Sequence, residues 1–344
     1  MSSPANWTSE LRDAFRSSAE LAAFLDWPVP ESRYPLFVPR KLATAIRQQG
    51  PSGPLARQFL PTSREEEDSG ALDPIGDERF LKTPQLIHRY TNRALLLPTT
   101  VCPVQCRYCF RKNELHGEDA LFSSAREETL AYLAAHPEIN EVIFTGGDPL
   151  VLKTSALTDW LTALAPLGHL RFVRFHSRVP VVLPARLDEE LSDLMTRWSD
   201  RFQFQLVVHS NHASEWTDEA RQRAKSFRPR GLRWLSQSVL LRGVNDRSAD
   251  LVELFSLLAE LHIEAYYLHH PDQVRGAMHF WLGLEEGRKL WRGLRRELSG
   301  WMLPRYVIDI PQGHGKIEAL NPESDSFSGQ LLDLSGRPIN SLSL

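Results

Sequence analysis

Cys102-Pro103-Val104-Gln105-Cys106-Arg107-Tyr108-Cys109 holds every cysteine of this 344-residue chain. With no thiol elsewhere to pair with, a disulfide framework is excluded. The C-x3-C-x2-C spacing lets three thiolates of one loop converge on one inorganic group. A four-iron, four-sulfur cluster held by three cysteines keeps one iron open to a substrate or cofactor, whereas an electron-transfer cluster is usually closed by four. The same thiolates completed by a nearby histidine such as His116 would instead make a zinc site.

Outward from this loop, from about residue 93, short apolar runs alternate with amphipathic helical patterns. Strands are expected over 93–99, 141–145, 172–177, 202–209, 233–240 and 263–269. Helices are expected over 124–136, 155–167, 188–198, 216–227, 249–261 and 284–298. Their apolar residues recur at three and four, as in Leu251, Leu254, Phe255 and Leu258. Ser124 and Glu127 have capping-box spacing, and Pro137 closes the same helix. Six strands each followed by a helix predict an α/β fold, a partial (β/α)6 TIM-type barrel with right-handed crossovers. Chemistry in such folds collects at the carboxyl ends of the strands. The cysteine loop follows the first of these strands and Thr145-Gly146-Gly147-Asp148-Pro149 ends the second, so both should open onto one face. Residues 1–85, rich in proline and charge, read as an accessory helical segment, 86–300 as the barrel core and 301–344 as a C-terminal segment and tail.

Composition bounds the function classes. A net charge of −3 and a pI near 6.5 give no general attraction to nucleic acid or to an anionic membrane. The first ten residues show no secretory signal, and no apolar stretch approaches the ~20 residues of a membrane helix. A cytoplasmic enzyme is expected. Nothing decides between monomer and homo-oligomer.

The cysteine spacing with Tyr108 before the last thiol resembles the signature of the radical S-adenosylmethionine enzymes. That resemblance implies that the open iron chelates S-adenosylmethionine, which an electron from a donor such as flavodoxin or ferredoxin cleaves to a deoxyadenosyl radical. It also places Gly146, Gly147 and Asp148 at a turn that meets the methionyl amino group. More of the chain is similar to the lysine 2,3-aminomutase family. The matching segments are His88-Arg89-Tyr90-Thr91-Asn92-Arg93, Cys102 to Arg111, Gly146-Gly147-Asp148-Pro149-Leu150, Ser177-Arg178-Val179-Pro180, Gln237-Ser238-Val239-Leu240-Leu241, Tyr267-Leu268, and Val307-Ile308-Asp309-Ile310-Pro311 with Lys316. In length and in lacking further cysteines the chain looks most like the subgroup that supplies β-lysine to elongation factor P.

The family moves an amino group from Cα to Cβ with pyridoxal phosphate as a second cofactor. By resemblance, Lys316 is the lysine that holds this cofactor covalently, Arg89 and Arg93 bind its phosphate and Gln237 is a nearby polar contact. Relatives usually carry an almost pure glycine run before this lysine, which Gln312 and His314 interrupt here. Arg111 matches the arginine that clamps the substrate carboxylate, and Asp272 and Asp309 match two acids that hold the ε-ammonium of lysine. Lysine is therefore the expected substrate. Arginine or glutamate on the same fold, or a zinc-stapled binding module, are the alternatives. His209 and His212 read as structural histidines, His269 and His270 belong either to the pocket or to strand packing, and none is assigned a catalytic role.

Overall fold

A computed structural model describes residues 7–114, 125–320, 331–332 and 338–339. Two short strands, β1 (Leu81–Thr83) and β2 (Leu86–Tyr90), lead antiparallel into β3 (Arg93–Thr99). From β3 the strands run parallel, in sequence order, through β4 (Glu141–Gly146), β5 (Phe172–Ser177), β6 (Gln203–His209), β7 (Arg233–Val239), β8 (Glu264–His269) and β9 (Arg305–Ile310). The hairpin strand β10 (Gly315–Glu318) then pairs antiparallel with β9, setting Lys316 opposite Asp309. All six expected strands are present. A seventh parallel strand, β9, stands where the sequence reading had only a segment leading to Lys316.

Helices α1 (Trp7–Arg12), α2 (Ser18–Leu25), α3 (Arg40–Gln49) and α4 (Pro54–Phe59) precede the sheet. Between the parallel strands run α5 (Arg126–Ala135), α6 (Thr154–Leu164), the single turn α7 (Val179–Val182) followed by α8 (Glu189–Trp198), α9 (Asp218–Ser226), α10 (Ser248–Glu260) and α11 (Leu284–Glu297). Their starts follow local chemistry: Asp188 accepts from the Leu191 N–H at 2.9 Å and Thr217 from the Ala220 N–H, each satisfying an otherwise unpaired donor of the first turn. Ser124 of the expected capping box, and His116, lie outside the described residues.

Side-chain alternation sorts the two faces of the wall. On β5, Val173 and Phe175 are buried and join the main core, while Arg174 and His176 are half-buried on the other face; β6 repeats this with Phe204, Leu206 and Val208 against Gln205 and His209. The core also takes in Phe15, Leu21, Val38, Ile46 and Phe59 from the N-terminal helices and their connections, so residues 7–60 pack as part of the barrel rather than around a centre of their own. Although β1 and β10 are at opposite ends of the sheet order, the sheet curls enough for the Lys316 N–H to donate to the Tyr90 hydroxyl at 2.9 Å. Among the described residues no helix is long and apolar enough to cross a membrane.

Candidate active site

The glycine turn and the cysteine loop are built as one unit. Gly147 N–H donates to the Thr99 carbonyl at 2.9 Å and Asp148 N–H to the Val101 carbonyl at 2.8 Å, tying the end of β4 to the start of the loop. A Cβ on Gly147 would lie 2.3 Å from the Val101 oxygen, and Gly146 has φ +95°. Both glycines are therefore required sterically, by close approach and by a left-handed backbone. Gly147→Ala should push Val101 and the adjoining Cys102 outward; less iron retained per protein after reconstitution than in the wild type is the expected result, read by metal analysis.

The turn's amides are bonded inside the protein, so what it can offer an ammonium is carbonyl oxygen. The Asp148 carboxylate is likewise engaged: it accepts from the Ser177 hydroxyl at 2.8 Å, the Arg178 N–H at 2.6 Å, the Val179 N–H at 3.2 Å and the Leu150 N–H at 3.0 Å. Burial pushes its pKa up to about 6 against the pull of these donors. Asp148 thus pins the end of β5 to the glycine turn.

Beneath the loop lies a buried ion cluster. Glu65, between α4 and β1, accepts from Arg107 Nε at 2.6 Å, from Lys112 Nζ at 3.3 Å and from the Ser32 hydroxyl at 2.7 Å. Lys112 also donates to the carbonyls of Arg107 at 2.8 Å and Gly276 at 2.9 Å. These bonds fix the backbone on both sides of Cys109. On the other side, Arg178 pairs with Glu215 at 2.9 Å and lies 5.5 Å from the Tyr108 ring, whose hydroxyl approaches His209 Nε2 at 3.4 Å. Burial raises all three cysteine thiols, Cys109 to about 12 with Cys106 adding repulsion, while Arg178 pulls Cys106 back down. A ligand that takes these thiols as thiolates must therefore displace protons. Among the described residues no three His, Cys, Asp or Glu side chains converge closely enough for a single metal ion. Thiolates that each bind a different iron of a cluster do not need to.

Along the mouth, β8, β9 and β10 bring four groups together. Lys316 Nζ contacts Asp309 Oδ2, lies 3.1 Å from His269 Nδ1 and 5.6 Å from the centre of the Tyr267 ring. Burial works to raise the Asp309 pKa, but the Lys316 ammonium and His269 hold it well below the carboxylate range. Asp272, half-buried and close enough to feel both, goes the other way, up to about 8, through loss of solvent and repulsion from Asp309. Two acids around one ammonium share a single net negative charge, which is why their pKa values separate.

The arginines assigned by resemblance are placed less uniformly. Arg89 donates to Asp77 at 2.6 Å and to the Ile75 carbonyl at 2.8 Å, and Arg111 pairs with the other Asp77 oxygen at 2.5 Å. Arg93 does not join them; it stacks on the Tyr90 ring at 3.9 Å and donates to Asn92. Gln237 lies half-buried on β7 with its Cα opposite His209 and Tyr267. Asp77, Glu65, His176 and the approach of His269 to Lys316 were not found by sequence reasoning. Asp77 sits in a turn whose Gly76 packs against Gly313, a contact no local pattern announces.

The described site has the parts a known family uses. Residues 92–166 match a family model described as a 4Fe-4S single cluster domain. The chain is 38% identical over 318 residues to the L-lysine 2,3-aminomutase of Escherichia coli, covering 89% of this chain and 92% of that one. It is 32% identical to the Haemophilus influenzae protein of the same name, over 89% of this chain and 93% of that one. With the Clostridium subterminale L-lysine 2,3-aminomutase it shares 30% over 90% of its length and 77% of the relative's. A loop of three cysteines, a barrel of parallel strands and identity over nearly the whole length lead to one conclusion: the chain belongs to the lysine 2,3-aminomutase family.

Proposed function

We propose that this protein converts L-α-lysine to β-lysine, using S-adenosylmethionine on the cluster and pyridoxal phosphate on Lys316, and that the product serves modification of elongation factor P. One observation carries the substrate reading: the mouth of the barrel already holds a lysine-type ammonium, that of Lys316, between Asp309 and His269 and within reach of Asp272. A site that stabilises one alkylammonium has the charge and the acceptors to stabilise another.

The residues fit both cofactors in kind. Cys102, Cys106 and Cys109 would hold the cluster, with Tyr108 and Arg178 packed against the loop. The carbonyls of Gly146 and Gly147 suit the methionyl ammonium, with Asp148 acting through the turn it pins. Arg89 Nε and Arg111 Nε are buried donors without a hydrogen-bond partner among the described residues. Unpaired buried donors are costly, and an anionic ligand relieves them. Arg89 is the stronger candidate for a phosphate and Arg111 for the substrate carboxylate; Arg93, stacked on Tyr90, joins only if its side chain turns, and Gln237 stands in register with His209 and Tyr267. Bound pyridoxal phosphate supplies the π system through which an amino group can pass between neighbouring carbons. The protein's part is then to hold the lysine at both ends, with Arg111 at the carboxylate and Asp272 and Asp309 at the ε-ammonium, and to exclude water.

The test is anaerobic turnover of the reconstituted protein with both cofactors, a reductant and L-lysine, with products resolved by chiral chromatography and mass detection. β-Lysine is the expected product; deoxyadenosine without it would send the search to arginine or glutamate. Asp309→Asn should raise KM for lysine by about thirty- to several-thousand-fold, the equivalent of ~2–5 kcal/mol for stranding a buried charge. Because Asp272 ionises only as pH rises through about 8, affinity for lysine should strengthen over that range in the wild type and lose the dependence in Asp272→Asn.

A further inference from the structure

The reading above uses His269 only as a neighbour of the ammonium, yet its ring stands against the nitrogen on which that reading turns. Lys316 Nζ lies 3.1 Å from His269 Nδ1, and the same Nδ1 lies 3.5 Å from Asp309 Oδ2. The ring is held edge-on by Tyr267, with centroids 5.5 Å apart. An ammonium has only protons to give, so the Nδ1 facing it is an acceptor and the imidazole is neutral.

A lysine cannot bond an aldehyde carbon while its nitrogen is protonated, and here Nζ contacts the Asp309 carboxylate. Some neighbour must accept a proton. Asp309 is poorly suited, since it stays ionised through its contact with Lys316. Asp272 is not in hydrogen-bond contact with Nζ among the described residues. Tyr267 presents its ring face to Nζ. The other titratable groups coupled to the His269 ring are His176 from β5 and His209 from β6, and neither has a hydrogen bond to Nζ among the described residues. His269 touches both the nitrogen that loses the proton and the carboxylate that would stabilise the imidazolium.

We propose that His269 is the base that takes a proton from Lys316 Nζ and so readies this lysine for covalent attachment to its cofactor, an inference that rests on the cofactor reading given above. One N–H bond of the ammonium breaks and an Nδ1–H bond forms, moving the positive charge to a ring that faces Asp309. The freed electron pair on Nζ bonds the aldehyde carbon. The aldehyde oxygen leaves as water, with one hydrogen from the amine and the other from His269; the ring returns to neutral, and the third hydrogen and the positive charge of the original ammonium stay on Nζ. No electron is gained or lost. Burial and the Lys316 charge hold the His269 pKa down to about 4, so the ring starts unprotonated at neutral pH and takes the proton only as Nζ gives it up. The same exchange run backwards would let Lys316 recover its proton when a substrate amine displaces it.

The test follows attachment rather than turnover. Full-length protein with its cluster reconstituted is mixed with pyridoxal phosphate, reduced with borohydride at successive times and at several pH values, and the modified Lys316 peptide is quantified by mass spectrometry. His269→Asn keeps an acceptor near the position of Nδ1 but cannot carry a proton. It should label Lys316 about 100-fold more slowly at neutral pH, within the range of general acid–base contributions, with the rate recovering as the pH approaches the lysine range. In His269→Ala, added imidazole should restore the rate. Equal rates and pH profiles for wild type and His269→Asn would overturn the proposal. If the Asn variant loses its fold, seen by circular dichroism and iron content, the rescue decides instead, and failure of imidazole to accelerate labelling of a folded His269→Ala protein overturns it. No labelling of Lys316 in the wild type would overturn the cofactor reading and this one together.

Discussion

Replacing Lys316 by alanine should abolish β-lysine formation while leaving iron and sulfide content at the wild-type value. The two halves of this expectation come from different parts of the barrel. Lys316 lies on β10, at the edge of the sheet beyond β9, whereas the thiols lie on the loop after β3 and are braced by Glu65, Arg178 and the glycine turn. Nothing described links Lys316 to that bracing, so the cluster should survive. The substitution also removes the cation beside Asp309 and Asp272, so the proton that Asp272 already carries at neutral pH should be held to higher pH. Loss of turnover with an unchanged cluster is read by product analysis beside iron and sulfide determination. Loss of the cluster as well would mean that Lys316 is structural.

The second large effect is expected at Glu65→Gln. The glutamine fills the same space but leaves Arg107 and Lys112 in a fully buried site without a counter-charge. Breaking a buried ion cluster from one side costs about 3–5 kcal/mol, because the surviving cations are stranded. The destabilisation should appear in the denaturant midpoint, and a change under about 1 kcal/mol, an exposed-pair value, would sink the idea. Iron retention should fall with it, since Arg107 and Lys112 flank Cys109. The pH dependence has a definite sign. Burial works to raise the Glu65 pKa, but Arg107 and Lys112 hold it below its ordinary 4.5. The stability Glu65 contributes is therefore complete above that value and is lost as pH falls through the lower folded pKa. The part of the gap between wild type and variant that comes from Glu65 ionisation should close as pH falls into acid.

Much of the barrel was legible because its strands are short apolar runs separated by turn residues and amphipathic helices, a pattern local enough to read. β9 escaped because Pro304 precedes it and Asp309 interrupts its apolar run, so that its partner β8 and the site, rather than periodicity, explain why it is a strand. The thiols, the glycines and Lys316 were legible from residue type and resemblance. Glu65 was not: within Arg64-Glu65-Glu66-Glu67-Asp68 it looks like one charge of a solvated face, and only burial beneath the cysteine loop distinguishes it. Asp77 and His269 failed to show for the same reason. Their meaning comes from partners brought close by the curl of the sheet: Arg111 for the first, more than thirty positions along the chain, and Lys316, 47 residues away, for the second.

That curl leaves a seam. Around most of the wall, neighbouring strands are laced by rows of backbone hydrogen bonds. Where β2 meets β10 the closure includes the Tyr90 hydroxyl on the Lys316 amide and Arg79 on the Gln312 carbonyl at 2.6 Å. Side-chain bonds of this kind contribute about 0.5–1.5 kcal/mol each, far less than a whole strand pairing. The wall should part most cheaply there, swinging the β9–β10 hairpin with Asp309 and Lys316 away from Arg89 as one leaf.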